Sequence, residues 1–278
     1  MTTSADFVLE RYPLNCFLDN TNNIELMRYE HVAVLRMSNG KTNALDKRFL
    51  KILYKTLVKV LADEMIEIIV LSSKLRFAFC TGLDLTEDIG IIKPEKIPQN
   101  LVRHCQMFFA LNNLILNSSK PIIAAINGVS LGMGVQLAAA CDFRISSELA
   151  WFNIPEMKIG GVFPTVPLVQ QIGLKNIKRM LYNGEKIDAE EAVHIGLIDA
   201  TVSDKSVEQE AIAYAIKIQF LDKLSLQHQK KLINRIICPM LYQEQRSISI
   251  IQQQLLRRKK VLDFLYELKN TGNILKMK

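Results

Sequence analysis

The chain has 278 residues, carries a formal net charge of +7 at pH 7, and is 49% hydrophobic. These values are typical of a soluble globular protein with one large domain, or with one domain and a helical appendage. No run of about 20 apolar residues occurs, which excludes a predicted membrane span. The basic residues are spread along the whole chain, so the sequence argues against nucleic acid as a partner.

The cysteines and the first residues indicate the compartment. Five cysteines, an odd number without a CxxC pair, predict neither a disulfide framework nor a metal site. Residues 1–24 contain early acids and one arginine, which is unlike a transit or signal peptide. We therefore expect reduced thiols and a cytoplasmic location, and we treat residues 1–24 as an N-terminal extension of unknown purpose.

The first half of the chain alternates strand and helix patterns. Residues 31–37 and 67–72 are short apolar runs that predict strands. Between them, Asp46 can cap a helix that extends to about Ala62, with apolar residues at helical spacing. A second helix is predicted over residues 103–116. Such units predict stacked sheets with helices outside and right-handed crossovers.

The most informative stretch covers residues 120–161. A buried strand over 121–126 leads through an Asn-Gly turn to Gly132-Met133-Gly134, which opens a helix of small residues. Glycines before a helix allow backbone N–H groups to point at a ligand. Glu156 follows among apolar side chains, where a carboxylate is either an ion-pair partner or a base with a raised pKa.

Four ordered segments resemble one family. These are residues 120–161, AFCTGLDL (residues 78–85), KTNALD (residues 41–46) and NGEKIDAEEAVHIGLIDATV (residues 183–202). Over residues 25–265 the chain is similar to the crotonase superfamily, the enoyl-CoA hydratase/isomerase family. The resemblance implies an α/β fold, a crotonase-like spiral of repeated ββα units with a C-terminal α-helical trimerisation region. The implied parts are the extension 1–24, the spiral core 25–205 with the active site, and the helical region 206–278.

The predicted last helix, from about residue 243 to 269, carries an apolar stripe and a basic run. The stripe contains Ile248, Ile251, Leu255, Leu262, Leu265 and Leu268. The family's architecture implies that such helices form a homotrimer or a dimer of trimers. The basic run, residues 257–260, is either a solvated turn of helix or, as the resemblance implies, a partner for the phosphates of coenzyme A.

The resemblance also implies a reaction and its residues. Family members stabilise the enolate of an acyl-CoA thioester with two backbone N–H groups, which by motif position are those of Cys80 and Met133. Glu156 occupies the position of the catalytic base. No cofactor is implied beyond the coenzyme A of the substrate. The substrate-binding positions implied are Lys41, Ala44, Ala78, Thr81, Gly82, Leu83, Gly132, Gln136, Phe163 and Pro164.

The sequence differs from family hydratases at one of the two catalytic glutamate positions. Hydratases carry two glutamates, whereas the first position here is Gln136, which cannot exchange a proton as an acid or base. The extra acid of two other branches, eight residues beyond the glutamate, is replaced by Pro164. The chain is therefore most similar to the single-glutamate Δ3,Δ2-enoyl-CoA isomerases of fatty acid metabolism. A hydratase, a family decarboxylase, and a non-catalytic acyl-CoA-binding or interaction protein are the alternatives.

Overall fold

The computed structural model describes residues 16–21, 23–90 and 97–271. Residues 1–15 and 22 of the predicted extension lie outside these ranges. The strands are β1 (Cys16–Thr21), β2 (Ile24–Tyr29), β3 (Val32–Met37), β4 (Ile68–Ser73), β5 (Ala78–Cys80), β6 (Ile122–Ile126), β7 (Val129–Leu131), β8 (Phe143–Ser147), β9 (Trp151–Asn153), β10 (Ile187–Asp188) and β11 (Ala200–Val202). The helices are α1 (Lys47–Ala62), α2 (Leu85–Gly90), α3 (Ile97–Leu116), α4 (Met133–Ala140), α5 (Val166–Asn183), α6 (Ala189–His194), α7 (Val207–Ile218), α8 (Lys223–Leu255) and α9 (Lys259–Thr271).

The strands form two sheets, and each turn of the spiral contributes one strand to each sheet. The larger sheet has the order β1-β2-β3-β4-β6-β8-β11, and the smaller has the order β10-β9-β7-β5. Each of the pairs β4-β5, β6-β7 and β8-β9 gives its first strand to the larger sheet and its second to the smaller. This arrangement confirms the predicted spiral of ββα units. The larger sheet begins at Cys16, within residues that the sequence assigned to an extension.

Helix α1 forms where the sequence predicts it. The Asp46 side chain accepts a hydrogen bond from the Phe49 backbone N–H at 2.7 Å, which satisfies one of the unpaired donors at the start of the helix. Leu53 and Leu57 on the apolar face are fully buried, while Lys51 and Lys55 are exposed. Local capping and helical spacing therefore determine this element.

The C-terminal helices pack against the core of the same chain. Helix α7 covers one face of the larger sheet through residues such as Ile212 and Ala215. The single helix predicted from about residue 243 to 269 is wrong, because a turn over residues 256–258 separates α8 from α9. Ile248 and Leu265, which the sequence analysis assigned to a subunit interface, are 6% and 1% exposed within this chain.

None of the helices in the described ranges has the length and apolar character that a membrane span requires.

Candidate active site

Three neighbouring strand ends build the candidate site. Strands β5, β7 and β9 are parallel, and β7 lies between the other two. Because parallel strands end at the same edge of a sheet, the segments that follow them meet there. These segments are residues 81–83 after β5, Gly132-Met133 after β7, and Pro155-Glu156 after β9. The middle strand therefore places Met133 between the first segment and the carboxylate.

Two backbone amides, those of Leu83 and Met133, belong to this edge. The Leu45 N–H donates to the Gly82 carbonyl at 2.7 Å, and the Asp84 N–H donates to the Leu45 carbonyl at 3.1 Å. Backbone groups alternate sides along an extended segment, so the N–H of Leu83 points away from Leu45. Met133 is the first residue of α4, where an N–H has no acceptor within the helix.

Gly82 allows these two segments to approach each other. Its φ is +82°, and a Cβ placed on it would lie 2.8 Å from the Leu131 carbonyl oxygen and 3.2 Å from the Met133 nitrogen. A larger residue would therefore push residues 81–83 away from the start of α4. The glycine of the first motif thus fixes the distance between the two segments that carry the amides.

Cys80 does not line the site. It is fully buried in β5, where it pairs with Ser130 of β7, and it is absent from the pocket walls. Burial raises the pKa of its thiol to about 12, so the sulfur stays protonated near neutral pH. The resemblance implied the Cys80 amide as a donor, whereas the pocket wall contains Leu83 and does not contain Cys80.

Glu156 is held against the glycine that precedes α4. A Cβ on Gly132 would lie 2.0 Å from Glu156 Oε1, so the carboxylate rests directly on the Gly132 Cα. Its other oxygen, Oε2, is buried and has no hydrogen-bond partner among the described residues. Burial raises the pKa of this carboxyl from 4.5 to about 8. Of the two roles that the sequence left open, this setting fits the base rather than an ion-pair partner.

The carboxylate of Glu156 lines a mostly apolar pocket together with Leu83 and Met133, the residues that carry the two amides. The walls come from the strand ends, from α3, from the loop after Glu156, and from the C-terminal helices. The lining residues beyond residues 81–83 and 131–133 are Leu85, Leu101, Cys105, Pro155, Glu156, Gly161, Val162, Gln252, Leu256 and Leu265.

The structure brings only part of the predicted site together. The predicted residues that line the pocket are Thr81, Gly82, Leu83, Gly132, Met133 and Glu156. Those outside its walls are Lys41, Ala44, Ala78, Cys80, Gln136, Phe163 and Pro164. Lys41 is exposed to solvent, whereas Ala78 and Phe163 are 5% exposed and belong to the core.

Gln136 faces the protein rather than the pocket. Its side chain is fully buried, and its Nε2 donates a hydrogen bond to the Pro164 carbonyl. Its Oε1 has no partner among the residues that the structure describes. The position that carries the first glutamate in hydratases is thus occupied by an amide that ties down the loop after Glu156.

The resemblance implied that the C-terminal helical region closes a pocket, but the sequence analysis named none of the lining residues in these helices. Gln252 and Leu256 lie around the end of α8, and Leu265 lies on α9. The helical spacing of Leu265 predicted that its side chain is buried, but an apolar stripe does not show which surface the helix packs against.

In residues 16–21, 23–90 and 97–271, no group of three or more His, Cys, Asp and Glu side chains is placed to hold a metal ion.

Comparisons with known proteins agree with this geometry. The family model described as enoyl-CoA hydratase/isomerase matches residues 27–262. "Probable enoyl-CoA hydratase 2, mitochondrial" of Arabidopsis thaliana is 32% identical over 69% of this chain, which spans 63% of that protein. The crotonyl-CoA hydratase of Syntrophomonas wolfei is 32% identical over 76% of this chain and 81% of its own length.

A solved structure shares the fold. The crystal structure of human mitochondrial delta3-delta2-enoyl-CoA isomerase matches with a TM-score of 0.79, over 89% of this chain and 96% of that chain. At 22% identity, this likeness shows the architecture alone. The family match covers the smaller sheet, the larger sheet from the second half of β2 onward, the three strand ends and Glu156. The chain therefore belongs to the enoyl-CoA hydratase/isomerase family.

Proposed function

We propose that this protein is an enoyl-CoA isomerase that moves a 3-enoyl-CoA double bond to the 2-position. The single observation that carries the proposal is that Glu156 is the one carboxylate among the lining residues of a mostly apolar pocket. The ionised carboxylate takes a proton from the α carbon, an enolate forms, and the same proton returns at the γ carbon. One base is sufficient for this exchange, and no atom is gained or lost.

The enolate oxygen needs donors that are already in place. We propose the backbone N–H groups of Leu83 and Met133 for this role, in place of the Cys80 amide that the motif suggested. Support comes from the orientation of the Leu83 amide and from the position of Met133 at the first turn of α4. One such donor is typically worth about 10²–10³ in rate.

Gln136 supports isomerisation rather than hydration. Addition of water requires one group to activate the water and another to deliver a proton, which two carboxylates do well. Here the first of these two positions holds Gln136, and its side-chain amide donates a hydrogen bond to the Pro164 carbonyl. The apolar walls also suit an enolate that must not meet water.

Hydration of 2-enoyl-CoA is the second candidate. The observation in its favour is the sequence identity with the crotonyl-CoA hydratase of Syntrophomonas wolfei. A non-catalytic acyl-CoA-binding protein on this fold is an alternative from another class. Loss of all turnover in Glu156→Ala, with coenzyme A binding retained, separates an enzyme from a binding protein.

Incubation with 3-enoyl-CoA and with 2-enoyl-CoA, followed by chromatography with mass detection, tests the proposal. Isomerisation moves the retention time and leaves the mass unchanged, whereas hydration adds the mass of one water. We expect isomerisation to be the faster reaction. Faster hydration of crotonyl-CoA than isomerisation of 3-enoyl-CoA would refute the isomerase and support the hydratase.

The coenzyme A portion of the substrate needs charge partners. We propose the basic run, residues 257–260, which is exposed and connects the pocket residue Leu256 to α9. Lys41, also exposed, is a second candidate for contacts with the nucleotide. The proposed chemistry uses no cofactor beyond the coenzyme A of the thioester.

We also propose a homotrimer or a dimer of trimers, with α8 at the subunit interface. The outward face of α8 exposes large apolar side chains, including Leu232 (52%), Ile233 (51%), Ile236 (69%) and Met240 (52%). Contiguous apolar patches of this kind often mark protein interfaces. Sedimentation tests the assembly, because a clean monomer at micromolar concentration would refute it.

A further inference from the structure

The backbone after Glu156 is attached to the rest of the chain by side chains from two helices. We call residues 161–166 the post-glutamate loop. It runs from the pocket wall at Gly161 and Val162 to the first residue of α5, Val166. Its buried polar backbone groups need hydrogen-bond partners, because an unpaired buried group is costly.

Helix α8 supplies two of these partners. Gln252 Oε1 accepts a hydrogen bond from the Val162 N–H at 3.1 Å. Glu244 Oε1 accepts from the Thr165 N–H at 2.7 Å, and its Oε2 accepts from the Val166 N–H at 3.0 Å. The Glu244 carboxylate therefore caps the start of α5 from a neighbouring helix, where the helix dipole favours a negative charge.

Helix α4 supplies the third attachment, the bond from Gln136 Nε2 to the Pro164 carbonyl. The loop is in turn bonded to the catalytic residue. The Gly161 N–H donates to the Glu156 carbonyl at 2.8 Å, and a Cβ on Gly161 would lie 3.6 Å from the Glu156 Cβ. Glu156 and the loop are thus joined by a backbone hydrogen bond and lie in close contact.

The inward seam of α8 has an unusual composition for a helix that packs on a core. Its buried residues, at spacings of three and four, are Lys230, Asn234, Cys238, Leu241, Gln245, Ile248 and Gln252. Most are polar, so burial of apolar area alone does not explain them. The last polar member, Gln252, is 9% exposed and also lines the pocket.

We propose that Glu244 and Gln252 are positioning residues for the catalytic base: by holding the post-glutamate loop, they fix the Glu156 carboxylate over the pocket. Their effect on turnover rests on the proposed isomerase function, whereas their effect on the loop does not. A displacement of about 1 Å at a catalytic group can lower the rate on the order of 10²-fold. Loosening the loop should therefore lower kcat more than it changes KM.

Helix α8 offers a matched control for the test. Gln245 is 7% exposed, and its carboxamide exchanges two hydrogen bonds with that of Asn113 on α3, at 3.0 and 3.2 Å. Gln245→Met and Gln252→Met are thus the same substitution at similar burial in the same helix. Only the second removes a bond to the post-glutamate loop.

The first measurement is amide hydrogen exchange of the full-length protein, read on peptides that contain residues 161–166. We expect exchange in the loop to rise about 10-fold or more in Gln252→Met and to stay at the wild-type level in Gln245→Met. Glu244→Gln keeps one acceptor oxygen and should have a smaller effect than Glu244→Ala. Unchanged loop exchange in Gln252→Met and Glu244→Ala would overturn the inference.

The second measurement is steady-state turnover of 3-enoyl-CoA. We expect kcat to fall on the order of 10-fold in Gln252→Met, with KM changed by less than about 2-fold, and a near-normal kcat in Gln245→Met. Equal losses in the two variants would show that α8 acts only through stability and would overturn the positioning role. A wild type without isomerase activity refutes the proposed function instead, and the exchange comparison still decides whether these side chains hold the loop.

Discussion

Gly132 and Glu156 are in contact through the Cα of the first and the carboxylate of the second. A Cβ at residue 132 would lie 2.0 Å from Glu156 Oε1 and 2.9 Å from its Cδ. The φ of Gly132 is +49°, a value that other residues rarely adopt. The absence of a side chain at this position therefore lets the carboxylate reach the start of α4, where the Met133 amide lies.

Gly132→Ala should displace the carboxylate from the Met133 amide. We expect kcat to fall at least about 10²-fold, because a misplacement near 1 Å is sufficient for a loss of that size. Gly173→Ala is the control, since Gly173 has a φ of +73° and a Cβ added to it would meet no atom of the described residues within 4 Å. Both variants carry backbone strain, but only the first creates the clash. A Gly132→Ala enzyme no slower than Gly173→Ala would contradict the contact's role.

The pH dependence of turnover should report the ionisation of Glu156. Burial raises the pKa of this carboxyl to about 8, and the proposed base works in its ionised form. The value of kcat/KM for isomerisation should therefore rise with pH and level off above about 8. A profile that is already flat from the ordinary carboxyl pKa of 4.5 upward would mean that Glu156 is well solvated or is not the base.

Glu156→Gln should have opposite effects on the stability of the protein at high pH and on its turnover. The pKa of Glu156 is higher in the folded protein than in the unfolded chain, so its contribution to stability is present below pH 4.5 and is lost as the pH rises through about 8. The amide cannot ionise, so the variant should be the more stable protein above pH 8, by roughly 1–3 kcal/mol. Its kcat should fall at least about 10²-fold. Melting curves at low and high pH check the first claim, and equal stability differences at both would contradict it.

The parts of the molecule that the sequence predicted are those fixed by neighbours in the chain. The Asp46 cap and the apolar spacing of α1 are local signals, and the motif that contains Met133 is equally local. The direction of the Leu83 amide depends instead on pairing with Leu45, a residue from an earlier segment. The motif around residues 78–85 does not show which residue pairs with Leu45. The position in the motif alone therefore led to the prediction of the Cys80 amide as the donor.

The break between α8 and α9 escaped prediction for a similar reason. Residues 256–258 include no glycine or proline, and the apolar stripe continues through them. In the structure, α9 turns back over the loop after Glu156, where a Cβ on Gly160 would lie 2.4 Å from Val261 Cγ2. The break is therefore set by tertiary packing around the pocket, which overrides local helix propensity.

Gln136→Glu tests why the candidate active site has only one of the two glutamates that family hydratases carry. A carboxylate cannot donate to the Pro164 carbonyl, so the variant must either hold a buried proton or release the post-glutamate loop. We expect a loss of roughly 1–3 kcal/mol in the free energy of unfolding, slower isomerisation, and at most a small gain in hydration of 2-enoyl-CoA. Gln136→Met, which removes the bond without adding an acid, is the control. Efficient hydration by Gln136→Glu would show that the loop does not restrict the reaction.

The last prediction concerns the basic run at the break. Arg257 and Arg258 are exposed and follow the pocket residue Leu256, so their charges lie close to the pocket without forming its walls. Replacing both with Gln removes two positive charges at this point. We expect a higher KM for the acyl-CoA substrate at low salt, with kcat little changed, because uniform binding is lost while the base stays in place.

The salt dependence of KM and a charge-matched control variant distinguish a local effect of Arg257 and Arg258 from an effect of the protein's net charge. Exposed charges are screened within about 10 Å at 0.1 M salt, so the difference in KM between the wild type and the double variant should shrink as salt is added. Lys51→Gln with Lys55→Gln is the matched control: it removes the same charge from the exposed face of α1. If both double variants raise KM equally, the protein's overall field attracts the substrate. If neither does, the phosphate contacts lie elsewhere, and Lys41→Gln becomes the next variant to measure.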